Sequence, residues 1–130
     1  MSDVQRLTCV ADISRLHGRE RPDAIAIDFK DRTTTYGELD RRASQVANGL
    51  IGLGLTPGAR VGYVGRNQDR FWDVVLGTYK SRTVIVGLNW RLAAPEMRFV
   101  VDDAECRVLF VGRDFYGLIE QIREQVQNLE

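Results

Sequence analysis

Apolar residues recur along the chain with two different periods, and the alternation between these periods predicts an α/β protein. A spacing of three or four residues predicts a first helix from Val4 to about Gly18. The same spacing begins again at Thr35 and runs to Gly54, a residue type that commonly ends helices. Thr35 and Glu38 have the spacing of a capping box, in which each side chain satisfies a free backbone N–H at the helix start.

Short runs of apolar and β-branched residues between these helices predict strands. Two of them, residues 25–27 and 33–35, surround a turn at residues 30–32 and predict a hairpin. Three more runs are apolar on both faces: residues 61–64, 84–86 and 108–111. Strands of this kind need a cover on each side, which is typical of parallel sheets.

Helices are predicted in the stretches between and after these buried strands. The apolar spacing predicts helices at residues 68–81, from Pro95 to Ala104, and from Phe115 to Val126. We therefore expect an α/β fold with a mostly parallel sheet and helices on both faces. No internal linker is visible, so residues 1–130 are expected to form one α/β segment.

Charge and hydropathy exclude several classes of function. Eighteen basic and eighteen acidic residues cancel, so no net field favours nucleic acid as a partner. No apolar run approaches the roughly 20 residues of a membrane span, and no secretory signal is visible. Arginines near the start of the chain suggest weak peripheral membrane contact, but interleaved acidic residues favour a solvated helix face. A cytoplasmic protein is expected.

The two cysteines and the single histidine do not predict a metal site. A structural zinc site needs about four ligands, and Cys9, Cys106 and His17 are too few. Two reduced, buried thiols are expected instead. His17 falls in the last turn of the first helix, where a cation is favoured by the helix dipole, so a capping role is expected. The adjacent pair Asp102 and Asp103 is expected to be solvated charge.

One pair of residues is placed where ligands commonly bind. Trp90 and Arg91 follow the carboxyl end of a buried strand, and open α/β sheets bind ligands at that edge. There the pair could stack on a base and bind a phosphate. Equally, Trp90 could pack under the next helix while Arg91 pairs with Glu96 or Asp102. The chemistry of the residues leaves both interpretations open.

Two glycine-containing stretches are interpreted as structural turns. Gly52 and Gly54 close a helix and precede a strand, which is the reverse of a dinucleotide fingerprint. The stretch of residues 65–68 follows a strand and opens a helix, but it lacks the Lys and Ser or Thr of a phosphate-binding loop. A plain strand-to-helix loop is expected there.

Several motifs occur in an order that resembles the adenylate-forming acyl-CoA synthetases, the AMP-binding ligase superfamily. Any one motif is weak, and the ordered set is specific. Its members are T-Y-x-E-L at residues 35–39, G-L-x-x-G-x-R-V at residues 54–61, Asn67 with Phe71, Lys80, N-x-R-L at residues 89–92, and Pro95 with Glu96. The last two resemble the fatty-acyl-CoA synthetase branch most.

The resemblance implies an N-terminal segment of an ATP-dependent fatty-acyl-CoA synthetase, which converts a carboxylate to an acyl-adenylate and then to acyl-CoA. ATP, Mg²⁺, CoA and a fatty acid would serve the full enzyme. The family's phosphate loop, magnesium motif, ribose-binding aspartate and late catalytic lysine are not found in these 130 residues. The isolated chain is therefore expected to lack catalytic residues, to be inactive, and to bind no cofactor tightly. Among the family's functional residues, only Arg91 has a match here, at a position that in some relatives contacts the CoA nucleotide.

Departures from the family pattern leave a second hypothesis open. Arg82 and Gly87 stand where the family has glycine and proline, and Ala59 stands where it has aspartate. A truncated, non-catalytic interaction or regulatory module derived from the family is the alternative. A flavodoxin-like receiver would need an acidic cluster, which Asp28 alone does not supply. In either main case we expect exposed apolar surface, covered by the remainder of a ligase or by self-association.

Overall fold

The computed structural model describes residues 7–129, so Val4 lies outside the described residues. Two compact units are present: a helical unit of residues 7–54 and 68–82, and a sheet unit of residues 55–67 and 83–129. The elements, in chain order, are α1 (Ala11–Glu20), β1 (Ile25–Phe29), β2 (Arg32–Thr35), α2 (Tyr36–Gly52), β3 (Arg60–Val64), α3 (Arg70–Ser81), β4 (Val84–Leu88), α4 (Ala94–Asp103), β5 (Cys106–Val111) and α5 (Tyr116–Glu120).

The helical unit contains the predicted hairpin and the predicted capped helix. Strands β1 and β2 pair antiparallel, and Lys30 in their turn has a positive φ of 56°. At the start of α2, the Glu38 N–H donates to Thr35 Oγ1 at 3.2 Å, and the Thr35 N–H donates to Glu38 Oε2 at 2.9 Å. Gly54, with φ 84°, follows the end of α2. Both boundaries of this helix are confirmed.

A largely buried lysine ties the three helices of this unit together. The Lys80 side chain on α3 is only 9% exposed, and its ammonium pairs with Asp40 Oδ1 on α2. It also donates to Ser44 Oγ at 2.9 Å, while Ser14 Oγ on α1 donates to Asp40 Oδ1 at 3.0 Å. A buried charge is costly without a partner, so this network fixes the relative positions of α1, α2 and α3.

Helices α2 and α3 pack closely at a glycine. A Cβ built on Gly77 would lie 2.6 Å from Val46 Cβ and 3.1 Å from the Ala43 carbonyl oxygen. Real Cβ atoms do not approach other atoms this closely, so only glycine fits here. The close contact also explains why Ala43 is fully buried.

The sheet unit is built on three parallel strands in the order β4-β3-β5. The central strand is buried, since Val61 and Val64 have no exposed surface, whereas Val84 on an edge strand is 46% exposed. Its core joins residues of the strands, α4 and the C-terminal segment, namely Val64, Leu88, Met97, Val101, Cys106 and Ile122. The predicted α/β fold with a parallel sheet is confirmed.

The prediction that both thiols are buried is half wrong. Cys106 is fully buried in the sheet unit, and burial raises the pKa of its thiol. Cys9, in contrast, is exposed. It precedes the first turn of α1, where its backbone N–H donates to Asp12 at 3.1 Å, so it serves the helix start and not a core.

Hydrogen bonds from Thr8 and Cys9 lower the pKa of Asp12 to about 2.

The last predicted helix is much shorter than the apolar spacing suggests. Helix α5 ends at Glu120, and residues 121–125 form turns. Two glutamine side chains bond backbone carbonyls in this stretch: Gln121 donates to Gly117 O at 3.0 Å, and Gln125 donates to Gln121 O at 3.1 Å. Ile122 is nevertheless buried, so the apolar spacing is satisfied without a regular helix.

Replacing Gly77 should test the close contact of α2 and α3. We expect Gly77→Ala to lower the free energy of unfolding by about 1–3 kcal/mol, because the new methyl group meets Val46 and a backbone oxygen. Gly49→Ala in α2 is the matched control, since a Cβ there meets nothing within 4 Å. That control should raise stability by up to about 1 kcal/mol. Urea denaturation measures both, and equal effects would contradict the packing described.

Arg82, at the family's glycine position, ends α3 in the left-handed region, with φ 60° and ψ 23°. Glycine adopts this conformation without the steric penalty that a Cβ brings. We expect Arg82→Gly to raise the free energy of unfolding by about 1 kcal/mol. Arg41→Gly, inside α2, should instead lower it by about 1 kcal/mol. A destabilised Arg82→Gly variant in the same urea titration would show that the arginine side chain itself stabilises the helix end.

Candidate functional site

Three loops of the sheet unit meet at the carboxyl edge of its parallel strands. They are residues 65–67 after β3, residues 89–92 after β4 and residues 112–115 after β5. The Gly112 N–H donates to the Val64 carbonyl oxygen at 2.7 Å, and a Cβ on Gly112 would lie 3.4 Å from Gly65 Cα. The loops after β3 and β5 are therefore in contact. This is the edge at which open α/β sheets bind ligands.

Trp90 contacts residues from the two other loops at this edge. The guanidinium carbon of Arg91 lies 4.4 Å from the centroid of the Trp90 ring, and that of Arg66 lies 5.0 Å from it. Phe115 packs against the same ring with a centroid distance of 5.7 Å. Trp90 is half-buried against the core of the sheet unit. Both guanidiniums are close enough to the ring for cation–π attraction.

The two arginines differ in their charge partners. Arg66 Nε lies 3.6 Å from Asp114 Oδ2, and both side chains are mostly exposed. Arg91 is exposed, and its backbone N–H donates to Asn89 Oδ1 at 3.1 Å. Its guanidinium forms no ion pair within residues 7–129. One arginine of the edge is thus partly neutralised, and the other keeps its full charge.

The structural interpretation of Trp90 and Arg91 agrees with the structure for the tryptophan and disagrees with it for the arginine. Trp90 does pack against the core, as the structural interpretation requires. The proposed ion pair of Arg91 is absent from the described part of the chain. Glu96 instead accepts the Ala93 N–H at 2.9 Å, and Asp102 lies 3.6 Å from Arg98 Nε. The tryptophan is therefore a platform, and the arginine on it remains able to bind an anion.

The other two candidate residues from the sequence, His17 and Asp102, make local contacts within the fold. His17 lies in the last turn of α1, where its carbonyl oxygen accepts the Arg21 N–H at 3.0 Å. Its Nδ1 accepts a hydrogen bond from Arg21 Nε at 3.2 Å, and its ring packs against Tyr36. Asp102 also accepts the Gln127 N–H at 3.1 Å. Asp102 thus binds local backbone, and the His17 ring contacts neighbouring side chains.

Sequence reasoning missed two residues of the edge, Arg66 and Asp114. Residues 65–68 were interpreted as a plain loop, because no phosphate-binding motif is present. The available signal was positional: three consecutive parallel strands must end at the same edge, so the residue after each strand can meet the others. Asp114 carries no such signal, since its position depends on the turn at Arg113–Phe115.

Neither a metal cluster nor a membrane span is found in the part of the chain that the structure describes. Across residues 7–129, His, Cys, Asp and Glu side chains nowhere gather in a group of three or more that could hold a metal ion. The helices in the same range are too short or too polar to cross a membrane.

The chain matches known proteins over most of its length. The profile of a family described as AMP-binding enzyme matches residues 15–130. The fatty acid–[acyl-carrier-protein] ligase ScoC of Streptomyces coeruleorubidus is 33% identical over 90% of this chain and 22% of its own length. The feruloyl-CoA synthase of an Amycolatopsis species is 36% identical over 70% of this chain and 18% of its own. The chain spans about a fifth of the length of these curated relatives.

Solved structures with the same fold belong to ligases. The anthranilate CoA ligase AuaEII, in complex with anthranoyl-AMP, is similar with a TM-score of 0.87 and 32% identity, over 92% of this chain and 23% of that one. The N-terminal domain of FACL13 from Mycobacterium tuberculosis is similar with a TM-score of 0.84 and 27% identity, over 94% of this chain and 32% of that one. The resemblance predicted from the ordered motifs is confirmed, and the chain belongs to the family of AMP-binding enzymes.

Proposed function

We propose that this chain is the N-terminal portion of an ATP-dependent acyl-CoA synthetase. The full enzyme would convert a fatty acid to an acyl-adenylate and then transfer the acyl group to CoA. Support comes from the family match over residues 15–130 and from relatives whose names are those of acid–thiol ligases. The observation that carries the proposal is the Arg91 guanidinium on Trp90, which has no ion-pair partner among residues 7–129 and lies at the edge of the sheet where open α/β folds bind ligands.

Arg91 is proposed to contact the nucleotide of CoA. Its guanidinium lies on the Trp90 ring, which is itself supported by Phe115. A guanidinium that lies on an aromatic ring can still form paired hydrogen bonds to a phosphate through its N–H groups. The side chain is exposed and has no carboxylate partner among the described residues, so its charge is available.

Adenylation chemistry is proposed to reside outside this segment. ATP-dependent ligases of this kind use magnesium to offset triphosphate charge. Within residues 7–129, no group of three or more His, Cys, Asp and Glu side chains is placed to hold a metal ion. We assign this segment no catalytic residue, because the catalytic motifs that the family resemblance implies are not found in these 130 residues. Its role would be to provide scaffold and one wall of the CoA or acyl site.

A cytoplasmic location is proposed, with at most weak peripheral contact to membranes. Both cysteines are free thiols, which suits a reducing compartment. Arg15 is already paired with Asp12 at 2.9 Å, and Arg21 is engaged with His17. Basic residues that are paired in this way offer little charge to an anionic lipid surface.

Assays on the pure chain test whether this segment alone has the adenylation activity of the proposed full enzyme. We expect no fatty-acid-dependent exchange of pyrophosphate into ATP, because the groups that bind the triphosphate are not in this sequence. In the source cells, an antibody raised to this chain should detect a protein several times larger than 14.7 kDa. Exchange by the pure chain would contradict the assignment of catalysis to other segments. A native band at 14.7 kDa would instead support the non-catalytic interaction module.

Apolar surface on the sheet unit is proposed to be covered by the remainder of the ligase. Val84 on β4 is 46% exposed, and Phe99 on α4 is 68% exposed. Phe99 also lines an open groove of about 870 Å³ between α4 and residues 121–125. Surfaces of this kind commonly mark contacts with other protein segments.

The isolated chain should therefore self-associate. We expect its mass by light scattering to rise with concentration, because the uncovered apolar surfaces of two copies can bury each other. Phe99→Ser should reduce this association, since that side chain is 68% exposed on the groove. Tyr116→Ser is the matched control, since this aromatic is also exposed but does not line the groove. A monomer at all concentrations would contradict the prediction.

A further inference from the structure

We propose that Arg66 is a second phosphate-binding residue for the nucleotide of the thiol acceptor, and that Asp114 is the positioning residue that restrains it. The inference rests on the proposed function, in which Arg91 contacts CoA. Arg66 belongs to the loop after β3, Arg91 to the loop after β4 and Asp114 to the turn after β5. Each of the three parallel strands is thus followed by at least one charged residue at the same edge.

The distances place Arg66 and Arg91 on one platform. Both guanidinium carbons lie within about 5 Å of the centroid of the Trp90 ring, at 5.0 Å for Arg66 and 4.4 Å for Arg91. Two like charges so close to one ring repel each other, and a carboxylate on one of them reduces this cost. Asp114, 3.6 Å from Arg66 Nε, is that carboxylate. The cluster keeps one net positive charge without a ligand.

The backbone beneath Arg66 is held rigidly, although its side chain is 65% exposed. A Cβ on the preceding Gly65 would lie 2.9 Å from the hydroxyl oxygen of Tyr63, a buried residue of β3. The neighbouring Gly112 amide is bonded to Val64. The loop is therefore packed at its base, and only the arginine side chain reaches out.

The chemistry of the cluster favours an acceptor that carries several phosphates. CoA presents a diphosphate and a 3′-phosphate next to an adenine ring, whereas pantetheine on a carrier protein lacks the nucleotide. Both acceptor types occur among the names of the relatives, since one is an acyl-carrier-protein ligase and another is a CoA synthase. Two guanidiniums beside an aromatic ring match separate phosphates of one nucleotide. We therefore assign CoA, and not a carrier protein, as the acceptor.

A nuclear magnetic resonance titration of the ¹⁵N-labelled chain tests this assignment. The chain has two tryptophans, and the indole N–H signal of Trp90 reports the edge while that of Trp72 on α3 serves as an internal control. We expect CoA to shift the Trp90 signal and leave the Trp72 signal in place. The dissociation constant of 3′-dephospho-CoA should be about threefold to tenfold larger than that of CoA, and pantetheine should not shift the Trp90 signal. Binding of ATP as strong as that of CoA would overturn the assignment to the thiol acceptor.

Substitutions at Arg66 and Asp114 test the role of Arg66 in CoA binding separately from that of Arg91. Arg66→Gln should weaken CoA binding about threefold to tenfold, whereas Arg123→Gln, at an exposed arginine that pairs with Glu120, should leave it unchanged. Asp114→Asn should tighten CoA binding about twofold to threefold, because it releases Arg66 from a competing carboxylate. In the Arg66→Gln background, Asp114→Asn should have a smaller effect. A structural role for Arg66 alone would not produce this dependence.

The outcomes distinguish this inference from the proposed function. If Arg91→Gln weakens CoA binding and Arg66→Gln does not, Arg66 is overturned as a phosphate contact while the role of Arg91 stands. If neither variant changes the dissociation constant of CoA, or if CoA does not shift the Trp90 signal of the wild-type chain, both Arg66 and Arg91 are overturned as phosphate contacts. An unchanged Trp72 signal in each variant confirms that the helical unit keeps its fold.

Discussion

The parallel packing of β3 between β4 and β5 is the constraint on which the candidate site depends. At Gly62, in the middle of β3, the space that a side chain would fill is taken by Leu88, Leu109 and Cys106 from the two neighbouring strands. This close packing sets the register in which the three strands run side by side. Because the strands are parallel and in register, their carboxyl ends coincide, and so do the loops that bear Arg66, Trp90 and Asp114.

Local signals in the sequence predict much of this fold, because their physical causes are local too. The capping box at Thr35 and Glu38 depends on residues three apart, and the end of α2 depends on one glycine. The parallel sheet follows from strands that are apolar on both faces. The placement of Trp90 and Arg91 at a strand end is likewise readable from the order of residues.

Features that depend on tertiary contacts are not readable in this way. The C-terminal apolar spacing predicts a long helix, yet α5 ends at Glu120 and residues 121–125 form turns around the buried Ile122. Cys9 was expected in a core, but its position at the start of α1 leaves it exposed. The contact of Arg66 with Trp90 joins residues 24 positions apart in the chain, and no local pattern announces it.

The buried network around Lys80 has a practical consequence for chemical labelling. The chain contains only two lysines, and they differ sharply in their surroundings. Lys30 stands exposed on a hairpin turn, while the Lys80 ammonium is enclosed by Asp40 and Ser44. Reagents that acylate amines need an accessible nitrogen, so in the folded chain they would select Lys30 over Lys80. The fold thus provides a nearly unique attachment point for a fluorophore or cross-linker in the helical unit.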